Sequence, residues 1–215
     1  MPPAVPNEMR SAKLNVKIPD NIRTIIFDLD GTIYDKRGLA RRMVRRLWWC
    51  LPLLAAERMA RRNMHYFQFV TAEEFFMVFF RNMARGHWWG PQIAEKWYFH
   101  VYMPAMVRLI HRHHPPRPEM LSLFNECRQQ GIRMAIFSDY GCVEEKLEAL
   151  GIDASLFDLL ISAPELGALK PSKPVVEQLM NILHADPATT LFIGDRDDKD
   201  GASARAVGAR YYIIS

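Results

Sequence analysis

The stretch Ile25-Ile26-Phe27-Asp28-Leu29-Asp30-Gly31-Thr32 limits what this chain can fold into more than any other. Three large apolar residues end abruptly in two aspartates one residue apart. A short run that is apolar on both faces predicts a buried strand of a parallel sheet. Gly31 and Thr32 then predict a turn. That puts Asp28 at the carboxyl end of a strand, where open α/β sheets hold their ligands. With a period of two, Asp28 and Asp30 share a face if the extended path continues. Carboxylates that close repel each other unless a cation or a shared proton relieves them. A lone Asp-x-Asp is no more than a strand followed by an acidic turn, so its meaning depends on its partners downstream.

The second half supplies a regular alternation. Residues 118–130 read as a helix ended by Gly131, and 132–137 as a strand ending in Ser138-Asp139. A helix over 144–150, a strand over 157–161 and a loop with Lys170-Pro171 follow. Then come a helix over 175–183, a strand over 190–193 ending in Gly194-Asp195, a helix over 202–207 and a last strand over 210–214. Alternating strands and helices predict a parallel sheet with right-handed crossovers, an α/β Rossmann-like core.

Between the first strand and this alternation lies a segment of different character. Residues 36–117 carry 15 Lys/Arg against 4 Asp/Glu, a charge of +11, while the remainder carries −7. All five tryptophans and six of the seven histidines fall there, and a shift that sharp predicts a separate module. Its pattern is helical. Leu39, Met43, Leu47 and Leu51 form one stripe beside Arg41, Arg42, Arg45 and Arg46. Pro52 is expected to break or kink that helix, and a second one runs to about Asn63. Thr71 and Glu74 match a capping box for a helix ending near Gly86. Pro91 suits the first turn of another helix running to about His111, with a kink at Pro104. His111, His113 and His114 read as a solvated, proline-bounded linker without a metal ligand set. The expected division is therefore a core over 1–35 and 118–215, with 1–20 as a flexible lead-in, and an all-α cap over 36–117.

Composition narrows the class. At 49% hydrophobic residues the 215-residue chain can bury a large core. No run of about 18 apolar residues is present, so no ordinary membrane span is expected. Residues 1–19 lack an apolar signal core, and Cys50, Cys127 and Cys142 are widely spaced. Both features favour a reducing, cytoplasmic setting.

Four polar signals recur at predicted strand ends: Asp28 with Asp30, Ser138, Lys170, and Asp195 with the run Arg196 to Asp200. Topology gathers strand ends along one sheet edge. There Asp28, Asp195 and Asp200 can offer hard oxygens to a divalent cation such as Mg²⁺. One free carboxylate can attack phosphorus and a second can move the proton. Ser138 and Lys170 can donate to phosphoryl oxygens.

These residues together resemble a known family. Phe27-Asp28-Leu29-Asp30-Gly31-Thr32 is similar to the first motif of the haloacid dehalogenase (HAD) superfamily, and Phe137-Ser138-Asp139 to the second. Leu169-Lys170-Pro171 resembles the third motif, and Ile193-Gly194-Asp195 through Asp200 the fourth. The resemblance covers about 23–35 and 118–215, and residues 36–117 stand where that family inserts a helical cap of the C1 type. It implies a phosphatase in which Asp28 is the nucleophile and forms a phosphoaspartate. Asp30 would be the general acid and base and lend its backbone carbonyl to Mg²⁺. Ser138 and Lys170 would bind the phosphoryl group, with Asp139, Gly31 and Thr32 completing the substrate-binding set. Asp195 and Asp200 would hold the metal. An acid at position 30 fits the phosphatases better than the dehalogenases. Asp139 stands where many relatives have Asn. Lys173 competes with Lys170 for the third motif, and Asp197 and Asp198 compete with Asp200.

The expected function is a Mg²⁺-dependent phosphomonoester hydrolase acting on a small phosphorylated metabolite. Phosphoryl transfer to a second hydroxyl, as in mutase relatives, stays open beside it. So does a protein that uses its basic, aromatic cap on an anionic membrane or on nucleic acid. Nucleic acid is the less favoured of these partners, peripheral membrane contact stays open, and the oligomeric state is not legible. The cap arginines read as a solvated face or as a lining that attracts anions. Trp48-Trp49 and Trp88-Trp89 fit core, pocket lining or surface patch equally.

Overall fold

The computed structural model describes residues 17–214, and the first 16 positions of the expected lead-in lie outside them. Within the described part Ile18 is buried in the main apolar cluster, so the chain is docked on the core before the first strand begins. Strand β1 (Thr24–Phe27) is buried along its whole length. It pairs in parallel with β2 (Arg133–Ser138) on one side and β4 (Thr190–Gly194) on the other. Outside these lie β3 (Leu159–Ser162) and β5 (Arg210–Ile213), giving a five-stranded parallel sheet of order β3-β2-β1-β4-β5. The chain leaves β1 towards β2 and β3, then returns to the far side of β1 for β4 and β5. Such a reversal opens a crevice at the carboxyl ends of the two strands flanking it, here β1 and β4.

The strands alternate between two cores as their period requires. Ile25, Phe27, Met134, Ile136, Leu191 and Ile193 face one apolar cluster, while Ile26, Ala135, Phe137 and Phe192 face the other. Helices α8 (Lys173–Ile182) and α9 (Ala202–Val207) contribute to the second cluster. Helices α6 (Pro118–Gln129) and α7 (Val143–Ala149) contribute to the first, where Phe124 meets Phe27 and Phe157 edge-on at centroid distances of 5.1 and 5.2 Å. The fold is thus an α/β sheet covered on both faces, as the alternation of strands and helices predicts.

Five helices intervene between β1 and α6: α1 (Leu39–Arg46), α2 (Leu51–Asn63), α3 (Ala72–Ala84), α4 (Pro91–Trp97) and α5 (Met103–His113). Their apolar faces join the first cluster, so the helical layer and the sheet share one continuous core. The two crossings between sheet and helices lie side by side: Tyr34 and Pro116 form an antiparallel bridge, and Arg117 N–H donates to the Ile33 carbonyl at 2.7 Å.

Three local expectations are corrected. Pro52 starts a helix rather than breaking one, because α1 ends at Arg46, Trp48–Cys50 form a 3₁₀ turn, and Pro52 then lies in the first turn of α2. There its missing N–H costs nothing. Pro104, by contrast, lies within a helical run that continues from Pro91 to His113 as expected, and the expected disturbance takes the form of a π-helical turn over Tyr98–Tyr102 just ahead of it. The histidines do not form a linker: His111 and His113 are solvent-exposed as expected but end α5, and His114 is buried. His114 Nδ1 lies 2.6 Å from the Asp35 carbonyl, which can only accept, so this nitrogen carries the hydrogen. Thr71 caps α3 through the Glu74 N–H at 3.1 Å, but Glu74 reaches back to the Val70 N–H rather than to that of Thr71.

Candidate active site

The ends of β1, β2 and β4 and the loop after β3 meet at one cavity of about 790 Å³. Asp28, Asp30, Lys170, Asp195 and Asp200 line its sheet side, and residues of α1, α2 and α5 close over it. The Asp28 N–H donates to the Ile193 carbonyl at 2.8 Å, which carries the sheet pairing one residue past β1 and holds the Asp28 backbone.

Each acid is fixed by its own donors. Asp28 Oδ1 accepts from Lys170 Nζ at 2.7 Å and Oδ2 from the Thr32 hydroxyl at 2.9 Å. Lys170 Nζ, 2% exposed, also reaches Asp200 Oδ1 at 2.7 Å and the Phe137 carbonyl at 2.9 Å. All three ammonium hydrogens are thereby used. Asp30 turns elsewhere: its carboxylate accepts from Tyr34 OH at 2.5 Å, Ser138 Oγ at 3.1 Å and Lys146 Nζ at 2.7 Å. Asp139 accepts the Lys170 N–H at 2.8 Å and forms an ion pair with Lys199. Lys36 Nζ lies 2.6 Å from Asp195 Oδ2 and 2.9 Å from the Asp30 carbonyl.

Two glycines make this packing feasible. Gly31 has φ +110°, and a Cβ there would sit 2.5 Å from Asp195 Oδ2. A Cβ on Gly194 would overlap the Asp200 carboxyl group. The expected residues therefore fall into distinct places. Asp28, Asp30, Lys170, Asp139, Asp195 and Asp200 all line the cavity. Ser138 and Thr32 are fully buried with their hydroxyls on Asp30 and Asp28, and Gly31 shapes the turn. The competing residues point away: Lys173 pairs with Glu177 on the surface, Asp197 with Arg205, and Asp198 with Arg196.

Electrostatics divide the two central acids. Burial pushes the Asp28 carboxyl from 3.8 up to about 7, with Lys170 opposing the rise and Asp200 adding to it. Burial also acts to raise Asp30, but Lys146 and the Tyr34 and Ser138 hydroxyls outweigh it and hold Asp30 below the usual range. Burial works against the Lys170 charge, yet Asp28, Asp200 and Asp139 prevail and raise its pKa, so it stays an ammonium. For Asp139 burial is outweighed by Lys199 and Lys170, and it is held ionised. The extra negative charge at position 139 is thus balanced by Lys199.

Asp28, Asp195 and Asp200 each offer one carboxylate oxygen, all within 4.8 Å of one another. Three hard oxygen donors suit a small divalent cation. The Lys36 ammonium, seated between Asp195 and the Asp30 carbonyl, indicates that this corner favours positive charge.

The sequence reading missed Lys146, Lys199, Lys36, Tyr34 and Arg61. Arg61 on α2 donates to the Asp139 carbonyl at 3.0 Å and to Tyr98 OH at 2.8 Å, pairs with Glu57, and lies over the Tyr140 ring at 3.8 Å. It ties the helical layer to the loop after β2. Arg58 and Arg62 line the cavity beside it, whereas Arg41, Arg45 and Arg46 are solvent-exposed.

A family profile described as haloacid dehalogenase-like hydrolase matches residues 22–208. The chain belongs to this family. Haloacid dehalogenase-like hydrolase domain-containing protein 3 of Bos taurus is 28% identical over 90 residues, which make up 41% of this chain and 36% of that protein. The chain thus matches little more than a third of that relative's length. Among solved structures, an HAD phosphatase from Thermococcus onnurineus superposes with a TM-score of 0.58 at 18% identity, covering 90% of this chain and 86% of that one. An L-2-haloacid dehalogenase from Xanthobacter autotrophicus gives 0.57 at 17% identity, covering 90% and 77%. At these identities the likeness is one of fold, and it extends equally to a phosphatase and a dehalogenase.

Two outcomes follow from the site's charges. Replacing Lys146 by Met leaves Asp30 buried without its cation, which should cost about 3–5 kcal/mol. Adding Asp30→Asn should recover part of this, giving a coupling of about 1–3 kcal/mol in a denaturation cycle; additive losses would mean the pair is not coupled. The raised Asp28 pKa means the fold keeps a proton that the unfolded chain releases above 3.8, so this group's contribution to stability falls between 3.8 and about 7. In chelator, Asp28→Asn should therefore melt above the wild type at pH 8, and the gap should close as pH falls towards 4. A gap that is constant with pH contradicts the shift.

Proposed function

We propose that this chain is a Mg²⁺-dependent phosphomonoester hydrolase that works through a phosphoaspartate on Asp28. The observation that carries the reading is Asp30, a second acid lining the same cavity as Asp28 and Lys170. Displacing a halide requires no proton on the leaving group. Displacing an alkoxide from phosphorus does, and a positioned acid supplies it. A dehalogenase needs no acid for its departing halide and no divalent cation to neutralise a phosphoryl group.

In this reading Asp28 attacks phosphorus and the ester bond breaks, with Asp30 giving its proton to the departing oxygen. Asp30 then takes a proton from water, the water oxygen attacks phosphorus, and Asp28 leaves as a carboxylate. Lys170 exchanges one of its three present acceptors for a phosphoryl oxygen as charge spreads over that group. A bound Mg²⁺, held by Asp28, Asp195 and Asp200, would neutralise the carboxylates and polarise the phosphoryl group. Asp28 has to be anionic and Asp30 protonated for the first step, the reverse of the order favoured by burial and Lys146. Loading the site with cation and phosphate has to invert it. The cap arginines Arg58 and Arg62 give the cavity a basic wall, which suits a small phosphorylated substrate with a further anionic group. Three free cysteines fit a reducing, cytoplasmic setting.

With p-nitrophenyl phosphate and Mg²⁺, the wild type should release inorganic phosphate, and Asp28→Asn should lower kcat by at least about 10³-fold. Chelation should abolish turnover and added Mg²⁺ should restore it. Chloride release from 2-chloropropionate, unaffected by chelator and with no phosphate release from any phosphomonoester, would replace this reading with a dehalogenase.

A further inference from the structure

The segment that roofs the cavity has an outer side that the hydrolase chemistry leaves unused. Around the turn between α1 and α2 the chain exposes Trp48 at 70% and Trp49 at 58%, along with Leu51 and Met59. Large apolar side chains grouped on a surface mark an interaction site. They are set among arginines. Arg41, Arg45 and Trp48 fall at i, i+4 and i+7, and Arg42, Arg46 and Trp49 repeat that spacing one residue on. From Leu39 to Asn63 there are seven arginines and one acid, Glu57, whose carboxylate is taken up by Arg61. Among the described residues Arg41, Arg45 and Arg46 are solvent-exposed and appear in no ion pair, so their charge faces outward unneutralised, while Arg42 beside them is half-buried.

From this we infer that the α1–α2 turn is a docking surface for an anionic lipid bilayer. Indole rings favour the boundary between headgroups and acyl chains, where the apolar body is buried and the N–H stays wet. Arginines beside them bind lipid phosphates, and each basic residue near such a surface strengthens the binding. A second copy of this chain fits poorly, because the exposed Arg41, Arg45 and Arg46 of the two copies would face each other. Nucleic acid would leave Leu51 and Met59 without an apolar partner. No helix among the described residues is long and apolar enough to cross a membrane, so the contact is peripheral. The same helices supply Ala40, Val44 and Leu54 to the cavity wall, which places the docking surface next to the mouth of the catalytic pocket.

The test is co-sedimentation of the full chain with phosphatidylcholine vesicles, with and without phosphatidylserine. Binding is expected only to the anionic vesicles, and to weaken as salt rises. Trp48→Ala/Trp49→Ala and Arg45→Glu/Arg46→Glu should each lower the partition coefficient by at least about tenfold. Both double variants should keep the wild-type melting temperature and the wild-type rate on p-nitrophenyl phosphate, since none of these side chains lines the cavity. Wild-type protein that stays in solution with anionic vesicles overturns the inference. So does equal binding by the variants, or binding of RNA or self-association in place of vesicles. Loss of the hydrolase reading with vesicle binding intact would leave docking standing, and the converse result would leave the hydrolase standing.

Discussion

The Lys170 ammonium, held between Asp28 and Asp200 at 2.7 Å from each, is the contact on which the rest of the site depends. Ionised carboxylates cannot be packed together away from water without a cation, because desolvation and mutual repulsion act in the same direction. Lys170 lets them approach. Its loop is in turn fixed by Asp139, which accepts the Lys170 N–H, and Asp139 is itself balanced by Lys199. The pattern repeats across the strand ends, with Lys146 on Asp30 and Lys36 on Asp195. The four lysines come from four different parts of the chain. The acid cluster can therefore assemble only when the whole sheet edge has formed.

That balance leaves the two central acids unequal. Asp28 is buried, shares its lysine with Asp200 and is pushed towards neutrality. Asp30 has a lysine to itself and two hydroxyl donors, and is held as an anion. The protein without ligand is thus poised against the charge state that the proposed phosphoryl transfer requires. Binding has to supply what is missing, which ties catalysis to occupancy of the site. The helical layer is coupled to the same point, since Arg61 bonds the carbonyl of Asp139, whose carboxylate accepts the Lys170 N–H.

Much of this was legible in the sequence. The run from Ile25 to Phe27 could only be a buried strand, and the Asp-x-Asp after it could only lie at a strand end. The alternation after residue 118 then allowed few sheets other than the one observed. The lysine partners were harder to read because a lysine in a helix is normally solvated. Lys146 did carry a signal: it falls with Val143, Leu147 and Leu150 on the buried stripe of α7. A charge on an apolar face needs a buried partner, and Asp30 is that partner. Arg61 and Glu57 carried the same signal beside Ala56 and Ala60 on α2. Pro52 misled for a different reason. A proline marks a helix boundary, but the sequence does not say whether it ends one helix or starts the next.

The central claim is that Asp28 carries the phosphoryl group. Excess enzyme mixed with a phosphomonoester and Mg²⁺, quenched in acid within one turnover and digested, allows the peptide holding Asp28 to be weighed. The account predicts one added phosphoryl group on Asp28, absent in Asp28→Asn and absent in chelator. Release of inorganic phosphate at the same rate, with Asp28 unmodified at every time sampled, would contradict it.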